Sequence, residues 1–141
     1  MTPHGRRPLW AVLTVAIAAG LAASLVGCAS IGPASTVAVS DVKSLAGKWA
    51  GVVYGAGYDD GITVDMTIRE DGSYDVASRQ RDSSSSGKGK IVLMDGRLIV
   101  EGQRGNGVAT LQRGPGGLRI LRIEMTLSDN SYLTAELSPS R

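Results

Sequence analysis

Past residue 28 the chain has neither cysteine nor histidine, since His4 and Cys28 are the sole examples of each. A domain lacking both holds no Ser-His-Asp or Cys-His catalytic set, no zinc site of the usual ligands and no disulfide. An excess of positive charge is missing as well. The formal charge of +2 comes from 15 basic against 13 acidic residues, and Arg6 and Arg7 account for all of it. The remainder is electrically balanced and carries no footprint for nucleic acid. A membrane-spanning run is also absent: Ala11 to Gly27 is uncharged but only 17 residues long and interrupted by Gly20, where a span needs about 20 apolar residues.

What stands at the amino terminus is an export signal. Met1 to Trp10 carry Arg6 and Arg7 with no acid, and the Ala-, Val-, Leu- and Ile-rich run to Gly27 follows, the n-region and h-region of a secretory signal over residues 1–27. The pair Arg6-Arg7 is followed by Pro8 and fits twin-arginine export poorly, so ordinary secretion is expected. The run stops at Leu25-Val26-Gly27-Cys28, which resembles the lipobox of bacterial lipoproteins. The resemblance implies cleavage between Gly27 and Cys28, a diacylglycerol on the Cys28 thiol and, often, acylation of the new amine, with palmitate among the acyl groups. Several acyl chains then hold the protein to a membrane, because one chain binds only marginally at about 0.8 kcal/mol per buried methylene. Ala29 follows Cys28 where the lipoprotein family commonly places Asp for inner-membrane retention. Its absence implies the outer membrane facing the periplasm in a Gram-negative cell, and the outer face of the plasma membrane in a Gram-positive one.

Residues 28–40 read as the lipidated Cys and a flexible tether of small uncharged residues, and residues 41–141 as one small domain. Ser40 is expected to cap a short helical turn over Asp41 to Leu45 that Gly47 ends. From there the pattern has period two. Ile62, Val64, Met66 and Ile68 alternate with polar residues, as do Leu121, Ile123, Met125 and Leu127, each a strand with one buried face. Asp71-Gly72, Asp95-Gly96, Gly105-Asn106-Gly107 and Gly114 to Gly117 supply turns between short strands. The strands are Lys48 to Tyr54, Ile62 to Ile68, Ser73 to Gln80, Lys90 to Leu93, Arg97 to Glu101, Val108 to Arg113, Leu118 to Leu127 and Tyr132 to Leu137. About eight strands with tight turns and no covering helix leave two edges and one apolar face exposed unless the sheet closes. The expected fold is therefore all-β, a small antiparallel up-and-down β-barrel. Arg79 to Lys90, with the Ser-rich stretch 82–87, reads as a long polar hairpin loop, or as a lid over the barrel mouth.

Gly47-Lys48-Trp49 resembles the Gly-x-Trp signature of the calycin group of lipocalins and avidin-like barrels. The resemblance implies an eight-stranded barrel with Trp49 packed across its closed end. Barrels of this size are filled by side chains or hold one small ligand, and the inward candidates Ile62, Val64, Met66, Ile68, Val76, Leu121, Ile123, Met125, Leu133 and Leu137 are large enough for either. Trp49, Tyr54, Tyr58 and Tyr74 are the candidate ligand-binding or barrel-end residues, and Tyr132 joins Tyr54, Tyr58 and Tyr74 as a mouth or partner-surface candidate. Asp59, Asp60, Asp71 and Asp95 precede or adjoin glycines and read as turn residues. No catalytic set, cofactor motif or metal-ligand spacing emerges, so the expectation is a non-enzymatic, lipid-anchored protein of the cell envelope. It binds a small apolar or amphipathic ligand, or else docks on an envelope protein or inhibits a hydrolase. A hydrolase using Asp59 or Asp60 ranks third.

Overall fold

The computed structural model describes residues 34–80 and 83–141, and residues 32–141 gather into one compact unit. The export signal, Gly27 and Cys28 lie outside the described residues, as do Arg81 and Asp82.

Eight strands follow one another around a closed antiparallel barrel: β2 (Gly47–Gly55), β3 (Tyr58–Ile68), β4 (Ser73–Gln80), β5 (Ser83–Met94), β6 (Arg97–Gly102), β7 (Gly105–Arg113), β8 (Arg119–Leu127) and β9 (Tyr132–Pro139). Each pairs with the next, and β9 pairs with β2 from Leu133↔Gly55 to Pro139↔Trp49 to close the ring. Closure pairs most of the edge groups that an open sheet of these strands would expose. The expected up-and-down barrel is therefore the fold.

The hairpins show how local chemistry sets register. Asp95 and Gly96 both have positive φ, 50° and 74°, giving the two-residue turn that matches strand twist and pairs Met94 with Arg97. At Glu70-Asp71-Gly72 the Asp71 carboxylate accepts hydrogen bonds from the Ser73 amide at 2.9 Å and its hydroxyl at 2.6 Å, while Gly72 takes φ 83°.

Five segments differ from the sequence expectation. Residues 83–89, read as loop, are strand, because β4 must have a second neighbour and the Ser-Gly stretch supplies it, from Gln80↔Ser83 to Ser73↔Lys90. Backbone pairing overrides the weak β propensity of Ser and Gly. Tyr58 to Gly61 and Gly105 to Gly107, read as turns, likewise belong to β3 and β7. The short turn is a 3-10 helix over Val42–Leu45 capped by Asp41, whose side chain accepts from the Lys43 amide at 2.9 Å, rather than by Ser40. Finally, the expected tether is partly structured: Ser35–Thr36 forms β1 against Gln112 and Arg113 of β7, and the Val37 amide donates to the Leu111 carbonyl at 2.7 Å. The reason lies in β6, whose register with β7 stops at Leu98↔Ala109. The far end of β7 would otherwise be an open edge, and β1 covers it.

Half of the buried core gathers at the barrel end where β2 begins. Leu45, Trp49, Ile68, Ile91, Leu98, Leu111, Leu121 and Leu137 are all buried there. Six of the ten inward candidates are buried, and Ile62, Val76, Met125 and Leu133 are half-buried and pack on the same core.

Candidate functional site

The two ends of the barrel differ. At the end just described, Leu45 of the 3-10 turn plugs the core, and the Trp49 indole N–H donates to its carbonyl at 2.9 Å. Trp49 is 2% exposed, and the Arg119 guanidinium lies 5.4 Å from its ring centroid while Nη2 donates to the Ser44 carbonyl at 2.9 Å. A hydrogen bond, a cation–π contact and a buried leucine thus hold turn, β2 and β8 together. Trp49 is a barrel-end residue and lines no ligand space.

The opposite end is hollow. A cavity of about 160 Å³ lies between Val53, Val64, Met66, Tyr74, Val100, Ile123 and Ala135 on its inner walls and Tyr58, Ser78, Ser85, Ser86, Gly87 and Arg104 near its opening. Outside it is a wider depression of about 520 Å³, sharing Tyr58, Tyr74, Val76, Gly87, Arg104, Met125 and Leu133 with the cavity and adding the polar Lys88, Gln103, Ser128 and Asp129. Cavities of roughly 150 Å³ lined by apolar side chains stay dry and take up benzene-sized molecules. The inner walls here are of that kind.

Tyr74 links the two spaces. It is only 5% exposed, and its hydroxyl rests against Gly89 and Gly102, positions where any Cβ would meet it. Two glycines paired across β5 and β6 are what make room for it, a close approach that only residues without a Cβ allow. No buried side-chain nitrogen or oxygen among the described residues lacks a partner. Tyr74 lines both the cavity and the depression outside it. Burial pushes its pKa up, so it stays a neutral donor. Ser78, also buried, is satisfied internally: its Oγ lies 2.7 Å from that of Ser85 and accepts from the Ser85 amide at 3.3 Å.

The remaining candidates separate by strand alternation. Val53 faces in, so Tyr54 faces out and is 46% exposed, away from the cavity. Tyr132 is 72% exposed on the outer face of β9. Tyr58 lines the cavity and its mouth, while the exposed Asp59 and Asp60 line neither. Asp129 lies at the mouth, with Oδ1 accepting from the Ser131 amide at 2.9 Å and its hydroxyl at 2.5 Å. These bonds hold its pKa below the usual carboxylate value. Among the described residues no three His, Cys, Asp or Glu side chains converge as a metal site would need. Sequence reasoning missed Arg104, whose placement follows from the short β6–β7 turn, whereas Lys88 is legible as one of the basic residues beside the Ser-rich stretch. It also missed Val100 and Ala135, where the signal was alternation within β6 and β9. No family model matches the chain, and comparisons with curated proteins and with solved structures likewise find no match.

Proposed function

We propose that the protein is a lipid-anchored lipoprotein of the bacterial cell envelope whose barrel binds one small apolar or amphipathic molecule, and that it is not an enzyme. The observation that carries the binding reading is the cavity of about 160 Å³, walled by apolar side chains and opening into a depression that carries Lys88, Arg104 and Asp129. Concave apolar space with a few converging polar groups is the usual form of a small-molecule site. The Gly47-Lys48-Trp49 resemblance to calycins agrees with it, as does the burial of Trp49 at the opposite end. Anchoring rests on Leu25-Val26-Gly27-Cys28, with Cys28 as the acylated first residue of the mature chain and the outer membrane as its location in a Gram-negative cell.

Native mass spectrometry of the protein taken gently from its own envelope tests both halves. Loss of residues 1–27 together with added acyl mass supports the anchor, and an intact precursor overturns it. A small-molecule adduct that disappears on denaturation supports the ligand site. If the adduct survives in Ala135→Leu, which pushes a larger side chain into the cavity, the ligand sits elsewhere and the reading fails.

One observation favours a docking module as the second reading. Tyr54 pairs with Thr134 on β9, so Tyr132, two residues along the same strand, is its diagonal neighbour on the outer face, and both are exposed. Tyrosines placed in this way suit a protein partner. A partner recovered with the wild type and lost with the Tyr54→Ser, Tyr132→Ser pair would establish it.

A further inference from the structure

The opening of the cavity lies on the side of the barrel as well as at its end. Strand β5 is twelve residues long, but β6 accompanies it only from Gly89↔Gly102 to Met94↔Arg97. Beyond Gly102 the chain turns away, and the last backbone link across the gap is the Gln103 amide donating to the Lys88 carbonyl at 3.1 Å. Lys88 therefore directs its carbonyl toward the β6 side. Because alternate residues of a strand direct their polar groups the same way, Ser86 and Ser84 present N–H and C=O to that side too, where no described strand receives them. One flank of the opening is this bare strand edge, and the other is the β6–β7 turn carrying Arg104.

The charges around the opening are unequal. Lys88 and Arg104 line the mouth, against Asp129 alone. Neither cation lies within ion-pair distance of a carboxylate among the described residues, whereas Arg69, Arg79 and Arg122 on the outer wall are paired with Asp75, Asp65 and Glu124. Asp129 is held by Ser131. Among the described residues Arg104 is the one charged residue that lines both the inner cavity and the depression outside it. Tyr74 and Ser86, which line the same cavity, add a hydroxyl and a strand-edge amide as uncharged donors.

We infer that the site takes an anionic single-chain amphiphile, its chain in the cavity and its acidic head in the side opening between Arg104, Lys88 and the Ser86 edge. The inference rests on the ligand-binding reading above and adds the charge and placement of the head. A neutral apolar molecule would leave this donor set idle, and a cationic head would face two like charges. The cavity volume limits the buried part of the chain to about the bulk of a benzene ring or a short alkyl segment, with the rest lying in the depression.

Residues 32–141, which form a compact unit with its own core, are titrated by calorimetry with octanoate, octan-1-ol and octyltrimethylammonium. Octanoate is expected to bind about tenfold more tightly than octyltrimethylammonium, with the difference shrinking at high salt. In the Lys88→Gln, Arg104→Gln double variant, octanoate affinity falls by about fivefold while octan-1-ol stays within about twofold of wild type. Both positions are exposed, and the Arg104 carbonyl that accepts from the Ser128 amide is kept. If octan-1-ol binds but octanoate shows no preference, or the double variant treats the two alike, the head assignment is overturned and the cavity reading stands. If none of the three binds the wild type, both fall.

Discussion

Replacing Trp49 by Phe asks whether the indole closes its end of the barrel or merely fills space there. Its N–H donates to the Leu45 carbonyl at 2.9 Å, and Leu45 is wholly buried. Phe leaves that carbonyl without its donor, at a cost of about 1–3 kcal/mol. The smaller ring opens a void in a tightly buried position and offers the Arg119 guanidinium a weaker face, together about 1 kcal/mol more. The expected loss is thus about 2–4 kcal/mol, or roughly 10–25 °C in melting temperature for a domain of this size. Urea unfolding of residues 32–141 reads it directly, provided the denaturant slope is unchanged. A loss below about 1 kcal/mol would refute the reasoning, because it would mean that the turn Val42–Leu45 is held without the indole.

Arg119→Lys keeps the charge but loses the planar stack and the Nη2 bond to Ser44; since Arg119 is exposed, the same unfolding assay should show only about 0.5–1 kcal/mol. Asp71 and Asp129 have folded pKa values below the usual carboxylate value through their serine bonds. Their contribution to stability is therefore complete above that value and lost as pH falls through the lower folded values. The melting temperature of Asp71→Asn, Asp129→Asn should fall less steeply than wild type below about pH 4, and parallel curves would contradict this. Ser78→Ala removes the Ser78–Ser85 pair and should cost about 0.5–1.5 kcal/mol. Faster amide exchange is then expected along the β4–β5 hairpin first, and uniform exchange would show that the pair is not what holds it. A chain beginning at Asp41 lacks β1 and bares the Leu111 to Arg113 edge of β7, so it should associate in sedimentation runs where residues 32–141 do not.

The strands that the residues announce are those buried on one face and wet on the other. Ile62 to Ile68 and Leu121 to Leu127 alternate because one side meets the core, and the structure buries Val64, Ile68, Leu121 and Ile123 accordingly. Ser83 to Gly89 shows no such alternation. Only the presence of β4 beside it makes it a strand, and that is a fact about its neighbour. β1 is hidden for a related reason: it exists because β6 is shorter than the reach of β7. Among the tyrosines, one position decides each fate. Tyr54 follows the inward Val53 and faces out, whereas Tyr74, Val76 and Ser78 share the inner face of β4. Tyr74 has room inside because Gly89 and Gly102 meet beside it, a coincidence of register that no linear pattern displays.

Whether a barrel of eight strands is solid or hollow depends on a difference between two volumes, which explains why the inward list alone left it open. The strand number sets the space inside, and side chains fill it unevenly along the axis. Toward the end closed by the 3-10 turn, Trp49, Ile68, Ile91, Leu98, Leu111 and Leu137 point inward, with Leu45 inserted from the turn itself. Toward the other end the small Val53, Ser78, Gly87 and Ala135 stand among larger wall residues such as Ile62, Met125 and Leu133. A protein interior tolerates few voids, so the small residues at one end are as much a design feature as the large ones at the other. The solid half supplies the stability that lets the hollow half remain empty. Substitutions that enlarge Ala135 or Gly87 should therefore remove ligand binding without removing the fold, while substitutions at Trp49 or Leu45 should weaken the fold before they reach the ligand.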